Sequence, residues 1–173
     1  MVHNDLYRAS DWVKHWTTLI PTGGKILDLA CGNGRHAIHL ANLGYRVDAV
    51  DRDFSLLENL KDQHGITATE YDLESNRWPF QAGSYEGVVV TNYLHRPLFS
   101  HLVSAVKSSG VLIYETFAAG NEKFGKPSNP DFLLWPGELL EVVRDKFRVI
   151  AYEDIYLSLP KPAMVQRICA VKL

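Results

Sequence analysis

The segment GKILDLACGNGRHA, Gly24 to Ala37, joins an apolar strand to a glycine turn and then to a helix. Lys25 to Ala30 carries Ile26, Leu27, Leu29 and Ala30, interrupted only by Asp28. That is the pattern of a central strand covered on both faces. Gly32 and Gly34 break it, because glycine reaches backbone angles that a Cβ resists and lets the main chain approach a ligand closely. The helix that follows, from about Gly34 to Leu43, aims unpaired N–H groups and its positive dipole end at whatever lies over the turn. The junction therefore reads as a site for a nucleotide-like ligand.

Two ligand classes compete for this turn. Gly32, Gly34 and Ala37 satisfy the G-x-G-x-x-A dinucleotide fingerprint, and Asp51 lies about where that fingerprint places its ribose-binding acid. Asp28 argues for the other class. It is an acid four residues before the first glycine, inside an otherwise apolar strand end, where an unpaired carboxylate is costly to bury. A pyrophosphate would be repelled by it, whereas the amino group and sulfonium of S-adenosylmethionine would be attracted. The segment resembles motif I of the class I S-adenosylmethionine-dependent methyltransferases, an acid and one or two small residues followed by C/G-G-x-G.

Composition sets the outer bounds. The chain has 173 residues, 46% of them apolar, enough for one domain with a packed core. Eighteen basic against twenty acidic residues leave a net charge of −2, which argues against a nucleic-acid partner. Cys31 and Cys169 are too far apart for metal-ligand spacing and read as reduced, buried thiols, so no metal is expected. No apolar run approaches a membrane span, and the N-terminal MVHNDLYRAS lacks the basic-then-apolar profile of a signal peptide. A cytoplasmic protein without a membrane partner is the expectation.

The punctuation along the chain is regular. Ser10 caps a helix expected over Asp11 to Ile20, with Trp12, Val13, Trp16, Leu19 and Ile20 at helical spacing. Tyr45 to Val50 reads as a second strand, followed by a third helix through Leu56, Leu57 and Leu60 and a short strand from Thr67 to Tyr71. Leu73 to Ser84 is too short for a crossover helix with its loops. A strand over Tyr85 to Thr91, a helix from about Pro97 to Lys107 and a strand over Val111 to Glu115 follow. After a loop over Ala118 to Asp131 comes a helix ending near Asp145. Phe147 to Tyr156 and Ala163 to Val171 are two strands with no room for a helix between them, hence antiparallel.

This organisation is similar to that of the class I methyltransferases. The resemblance implies an α/β, Rossmann-like open sheet of seven strands in the order 3-2-1-4-5-7-6, with strand 7 antiparallel and helices on both faces. It implies one domain over residues 1–173 and S-adenosyl-L-methionine as cofactor. Four loops at strand carboxyl ends carry it. In the first, Asp28, Ala30, Cys31, Gly32, Asn33 and Gly34 fall on motif I, at the methionine end of the cofactor. In the second, Asp51 would accept from the ribose hydroxyls and Arg52 would lie against adenine. In the third, Asp72 and Leu73 fall on the adenine-binding positions. In the fourth, Thr91-Asn92-Tyr93-Leu94-His95-Arg96-Pro97, Asn92 would lie beside the methionine moiety and the acceptor.

The stretch ETFAAGNEKFGKPSNPDFLLWPGELL, Glu115 to Leu140, follows strand five, where this superfamily builds much of its acceptor site. With LACGNGRHA and TNYLHRPL it resembles small bacterial methyltransferase-domain proteins similar to the tellurite-resistance methyltransferases. Phe117, Phe124, Phe132 and Trp135 are expected to wall a pocket beneath a semi-rigid lid. Arg35 and His36, in the first turn of the second helix, are expected on an exposed face. Methyl transfer from a sulfonium requires in-line approach and exclusion of water, and a base only when the acceptor must lose a proton. His95 is then the candidate base and Tyr114 the second.

The sequence thus points to a methyltransferase acting on a small molecule, with the acceptor and oligomeric state unassigned. An RNA or protein methyltransferase should show a basic or peptide-sized groove. A non-catalytic cofactor-binding partner protein should show a closed acceptor pocket. An NAD-dependent oxidoreductase is disfavoured by Asp28 and by the lack of a catalytic domain.

Overall fold

A computed structural model describes residues 8–75 and 77–173 of the chain. The leader expectation for the N-terminus rests largely on residues 1–7, which lie outside the described residues. β1 (Lys25–Leu29), β2 (Arg46–Asp51) and β3 (Ile66–Glu70) step outward in one direction. β4 (Tyr85–Thr91) and β5 (Val106–Phe117) lie on the other side of β1. β6 (Phe147–Leu157) and β7 (Ala163–Lys172) close that side, giving the order β3-β2-β1-β4-β5-β7-β6. β1 to β5 are parallel, and β7 runs antiparallel between β5 and β6. The sheet is therefore the one the sequence implies. The chain doubles back on either side of β1, which opens a crevice at the carboxyl ends of β1 and β4.

Two cores cover the sheet. α1 (Asp11–Trp16), α2 (Arg35–Asn42) and α3 (Phe54–Leu57) pack Trp12, Val13, Ala37, Leu40 and Leu57 onto Ile26, Val47, Ala49 and Val89. α4 (Phe99–Ala105) and α5 (Glu138–Val143) pack Leu102, Val103, Leu139 and Val143 onto Leu27, Leu29, Val88, Val90 and Leu112. Side chains alternate across a strand, so Asp28 shares the α1–α2 face with Ile26. One acid has thus been placed in an apolar layer.

Several elements are shorter than their periodicity suggests. The helix expected through Ile20 is α1 to Trp16 plus a 3₁₀ turn over Thr17–Leu19. α3 similarly tightens into a 3₁₀ turn over Glu58–Leu60. α4 ends at Ala105, not Lys107, because Val106 pairs with Tyr85 and its carbonyl accepts from Lys172 Nζ at 2.6 Å. The ladder then breaks and resumes at Val111, the residue at which the sequence begins this strand.

Gly34 caps α2 with φ +76°, and a Cβ there would run into the Leu60 side chain at the centre of the α2–α3 layer. Both backbone strain and overpacking oppose a side chain. Gly34→Ala is expected to destabilise the fold by roughly 2–3 kcal/mol, read as a lower urea midpoint with unchanged slope. A midpoint equal to wild type would contradict this packing.

Candidate functional site

The glycine turn is held by the strand beside it. Asp51, at the end of β2, accepts from Gly32 N–H at 2.8 Å through one oxygen and from Asp53 N–H at 3.0 Å through the other. Gly34 N–H donates to Cys31 O at 2.9 Å, closing the turn. Each Asp51 oxygen keeps a lone pair that the turn does not use. Ala30 and Asn92, the residues that follow β1 and β4, have φ of +52° and +53°. Non-glycine residues rarely adopt this conformation, and strain of this kind gathers at ligand sites.

A cleft of about 410 Å³ opens over these strand ends. Ala30, Asp51, Arg52, Asp72, Leu73 and Asn92 all line it, so six of the sequence-selected residues converge there. The β3 side adds Tyr71 and Glu74, and the β4–β5 side adds Tyr93, Leu94, Thr116, Phe117, Pro127 and Phe132. Cys31, Gly32, Asn33 and Gly34 form the turn that follows Ala30. Asp72 also organises its own loop, accepting from Glu74 N–H at 2.9 Å and from the Ser75 hydroxyl. The Ser75 hydroxyl and then the Glu74 amide hold its carboxyl below the usual range. Turn capping and cleft lining are both properties of this residue. Tyr93 and Glu74, which the sequence did not single out, are joined across the cleft by a 3.3 Å hydrogen bond. Their signal was adjacency, one residue from Asn92 and from Leu73.

Asp28 lies behind the turn, not in the cleft wall. It is 1% exposed, and neither carboxylate oxygen makes a hydrogen bond of normal geometry, although the Ala37 amide is near enough to act on it. Burial pushes its pKa up to about 7, with partial offset from the Ala37 amide at the start of α2 and from Arg35, and a further upward push from Asp51. Burial and then the Asp28 and Asp51 charges push the neighbouring Cys31 thiol up as well. A negative group over this turn would add to the cost of ionising Asp28, whereas a positive one would lower it.

Three expectations need correction. His36 is buried, not exposed: it is 1% accessible and accepts from Ser10 N–H at 3.1 Å through Nε2. That leaves Nδ1 to donate to Thr91 Oγ1 at 3.3 Å, tying α1 to the end of β4. Burial holds its pKa at about 3, in the neutral form this bridge requires. Tyr114 is 1% exposed and its hydroxyl donates to Tyr93 O at 2.7 Å. Burial pushes the phenol far up, so it supports the Tyr93 loop and is ill-suited to accept a proton. His95 follows the wall residue Leu94 and is half-buried, but it is not among the residues that line the cleft.

The third correction concerns the aromatic lid. Phe117 and Phe132 line the cleft, but Phe124 packs on Tyr156 at 5.1 Å and Trp135 lies under Arg96 at 4.5 Å. Arg96 explains the displacement. Its guanidinium forks onto Glu138 at 2.7 and 3.0 Å and donates to Asp131 O and Leu133 O, each at 2.8 Å. On the other side, Asn121 donates to Pro127 O at 3.0 Å and accepts from Met164 N–H at 3.1 Å. The loop over 118–137 is thus fastened at both shoulders, with Pro127 and Phe132 presented to the cleft.

Taken together, a crevice at the order reversal of a 3-2-1-4-5-7-6 sheet, a glycine turn and acids at two successive strand ends define a class I S-adenosylmethionine-dependent methyltransferase fold. S-adenosylmethionine is the cofactor of this class, and the buried unpartnered Asp28 and the open lone pairs of Asp51 fit its cationic and ribose parts. Residues 26–110 match the family described as a methyltransferase domain. It is 35% identical over 98 residues to YodH, an uncharacterized methyltransferase of Bacillus subtilis, a match covering 51% of this chain and 41% of YodH. The chain spans less than half the length of the curated relatives it matches. TehB of Haemophilus influenzae superposes with a TM-score of 0.80 at 20% identity, covering 99% of this chain and 64% of TehB. Geranyl diphosphate C-methyltransferase of Streptomyces coelicolor, solved with S-adenosyl-L-homocysteine, has a TM-score of 0.70 at 15% identity, covering 93% of this chain and 78% of its own.

The Asp28 carboxylate has a consequence for stability. Its pKa rises from 3.8 in the unfolded chain to about 7 in the fold, so the fold binds the proton more tightly. The cost of ionisation is absent below pH 4, grows as pH rises through the interval and is complete above 7, on the order of 4 kcal/mol. Asp28→Asn is therefore expected to gain stability relative to wild type on going from pH 5 to pH 8, measured by urea denaturation without cofactor. An equal difference at both pH values would contradict the burial assigned to this group.

Proposed function

We propose that this chain, acting as a single cytoplasmic domain, catalyses methyl transfer from S-adenosylmethionine to a small molecule. The observation that carries the reading is the buried, unpartnered Asp28 carboxylate under the glycine turn, which favours a cationic ligand over a pyrophosphate. The cytoplasmic assignment is supported by two free, buried thiols. Among the described residues no helix is long and apolar enough to cross a membrane.

Bound in the cleft, S-adenosylmethionine supplies a methyl group already activated by its sulfonium. The residues of the chain hold, orient and enclose. Asp51 accepts from the ribose hydroxyls with the lone pairs left free by Gly32 and Asp53. Asp72 and Leu73 flank adenine, Arg52 covers it, and Asn92 with the Ala30 turn borders the methionine end. Phe117, Pro127 and Phe132 exclude water from the far half of the cleft. His95 is the candidate base for any acceptor that must lose a proton. An RNA acceptor is disfavoured because three of the four charged residues in the cleft wall, Asp51, Asp72 and Glu74, are acids, with Arg52 the exception.

Asp51→Ala is expected to weaken S-adenosylmethionine binding at least about tenfold, some 1.4 kcal/mol, in equilibrium dialysis. Unchanged affinity would remove Asp51 from the cofactor site.

A further inference from the structure

The cleft is divided by charge. Its ionised side chains, Asp51, Arg52, Asp72 and Glu74, all follow β2 and β3. The half built from β4, β5 and the 118–137 loop presents Asn92, Tyr93, Leu94, Thr116, Phe117, Pro127 and Phe132, none of them ionised near neutral pH. Burial and the neighbouring Glu74 push the Tyr93 phenol well above its ordinary range. Arg96, two residues beyond Leu94, is engaged by Glu138, two carbonyls and the Trp135 ring. Lys126 is not among the residues that line the cleft; with Ser128 and Asn129 it lines an adjoining shallow groove that shares Pro127 and Phe132.

From this division we propose that the acceptor is an uncharged, largely apolar small molecule that attacks through a neutral nitrogen or sulfur. The inference rests on the methyltransferase reading above. An anionic acceptor held against this half would give up hydration with no cation in its lining to replace it. A neutral nucleophile suits the same surroundings. Its lone pair forms the new bond to the methyl carbon while the methyl–sulfur bond breaks and sulfur keeps that electron pair. The positive charge passes from sulfonium to product, and any proton on the methylated atom leaves to water. Charge is spread in the transition state and not created, so an apolar enclosure favours the step.

The test is calorimetric titration of the protein saturated with S-adenosylhomocysteine, near neutral pH, using quinoline, quinoline-4-carboxylate and selenite as probes. Quinoline is expected to bind at least about tenfold more tightly than its carboxylate, selenite is expected not to bind, and Phe132→Ala is expected to weaken quinoline about fivefold or more. Phe132 is 53% exposed, so its replacement leaves the fold intact. Comparable or tighter binding of either anion overturns the acceptor class, as does failure of quinoline to bind or indifference to Phe132→Ala. Failure of S-adenosylhomocysteine itself to bind is a separate result, seen in the first titration, and brings down the underlying reading.

Discussion

The Asp51 carboxylate is the constraint on which the site depends. By accepting from Gly32 N–H and Asp53 N–H at once, it fixes the turn after β1 to the turn after β2 and sets the floor of the cleft. A parallel sheet supplies the strand ends but not their loop conformations, and the loops alone would leave these amides to water. With Asp51 in place the glycine turn is rigid before any ligand arrives, so binding does not have to order it.

The surroundings of this turn are less comfortable than the sheet beneath. Asp28 sits unpartnered in the α1–α2 layer, and Ala30 and Asn92 hold left-handed conformations without being glycine. Such features cost of order 1–3 kcal/mol each and persist only where the framework overrides them. Here the framework is two continuous apolar layers and the His36 bridge from α1 to β4. The Ala37 amide and Arg35 offset part of the cost of the Asp28 charge and leave room for a positively charged ligand to do the rest.

How much of this was legible in sequence differs by level. The strands and the antiparallel final pair followed from the alternation along the chain and from the close succession of the runs Phe147 to Tyr156 and Ala163 to Val171, because strand period and turn residues are local signals, whereas the strand order came from the resemblance to class I methyltransferases. Positions at strand carboxyl ends were legible for the same reason, which is how Ala30, Asp51, Arg52, Asp72, Leu73 and Asn92 were found. The orientation of individual side chains was not. His36 lies in a helical first turn that patterning assigns to solvent, and only the chain at Ser10, distant in sequence, buries it. Trp135 looks like a pocket wall until Arg96, nearly forty residues earlier, claims its face. Tyr114 looks like a strand-end base until its hydroxyl meets the Tyr93 carbonyl. Each of these depends on a long-range contact that no window of sequence contains.

The central claim is that the glycine turn is a site for S-adenosylmethionine and not for a dinucleotide. Calorimetric titration of the purified protein with S-adenosylmethionine, S-adenosylhomocysteine and NAD tests it most directly. The account predicts saturable binding of the first two and none of NAD. Binding of NAD without either of the others would contradict it.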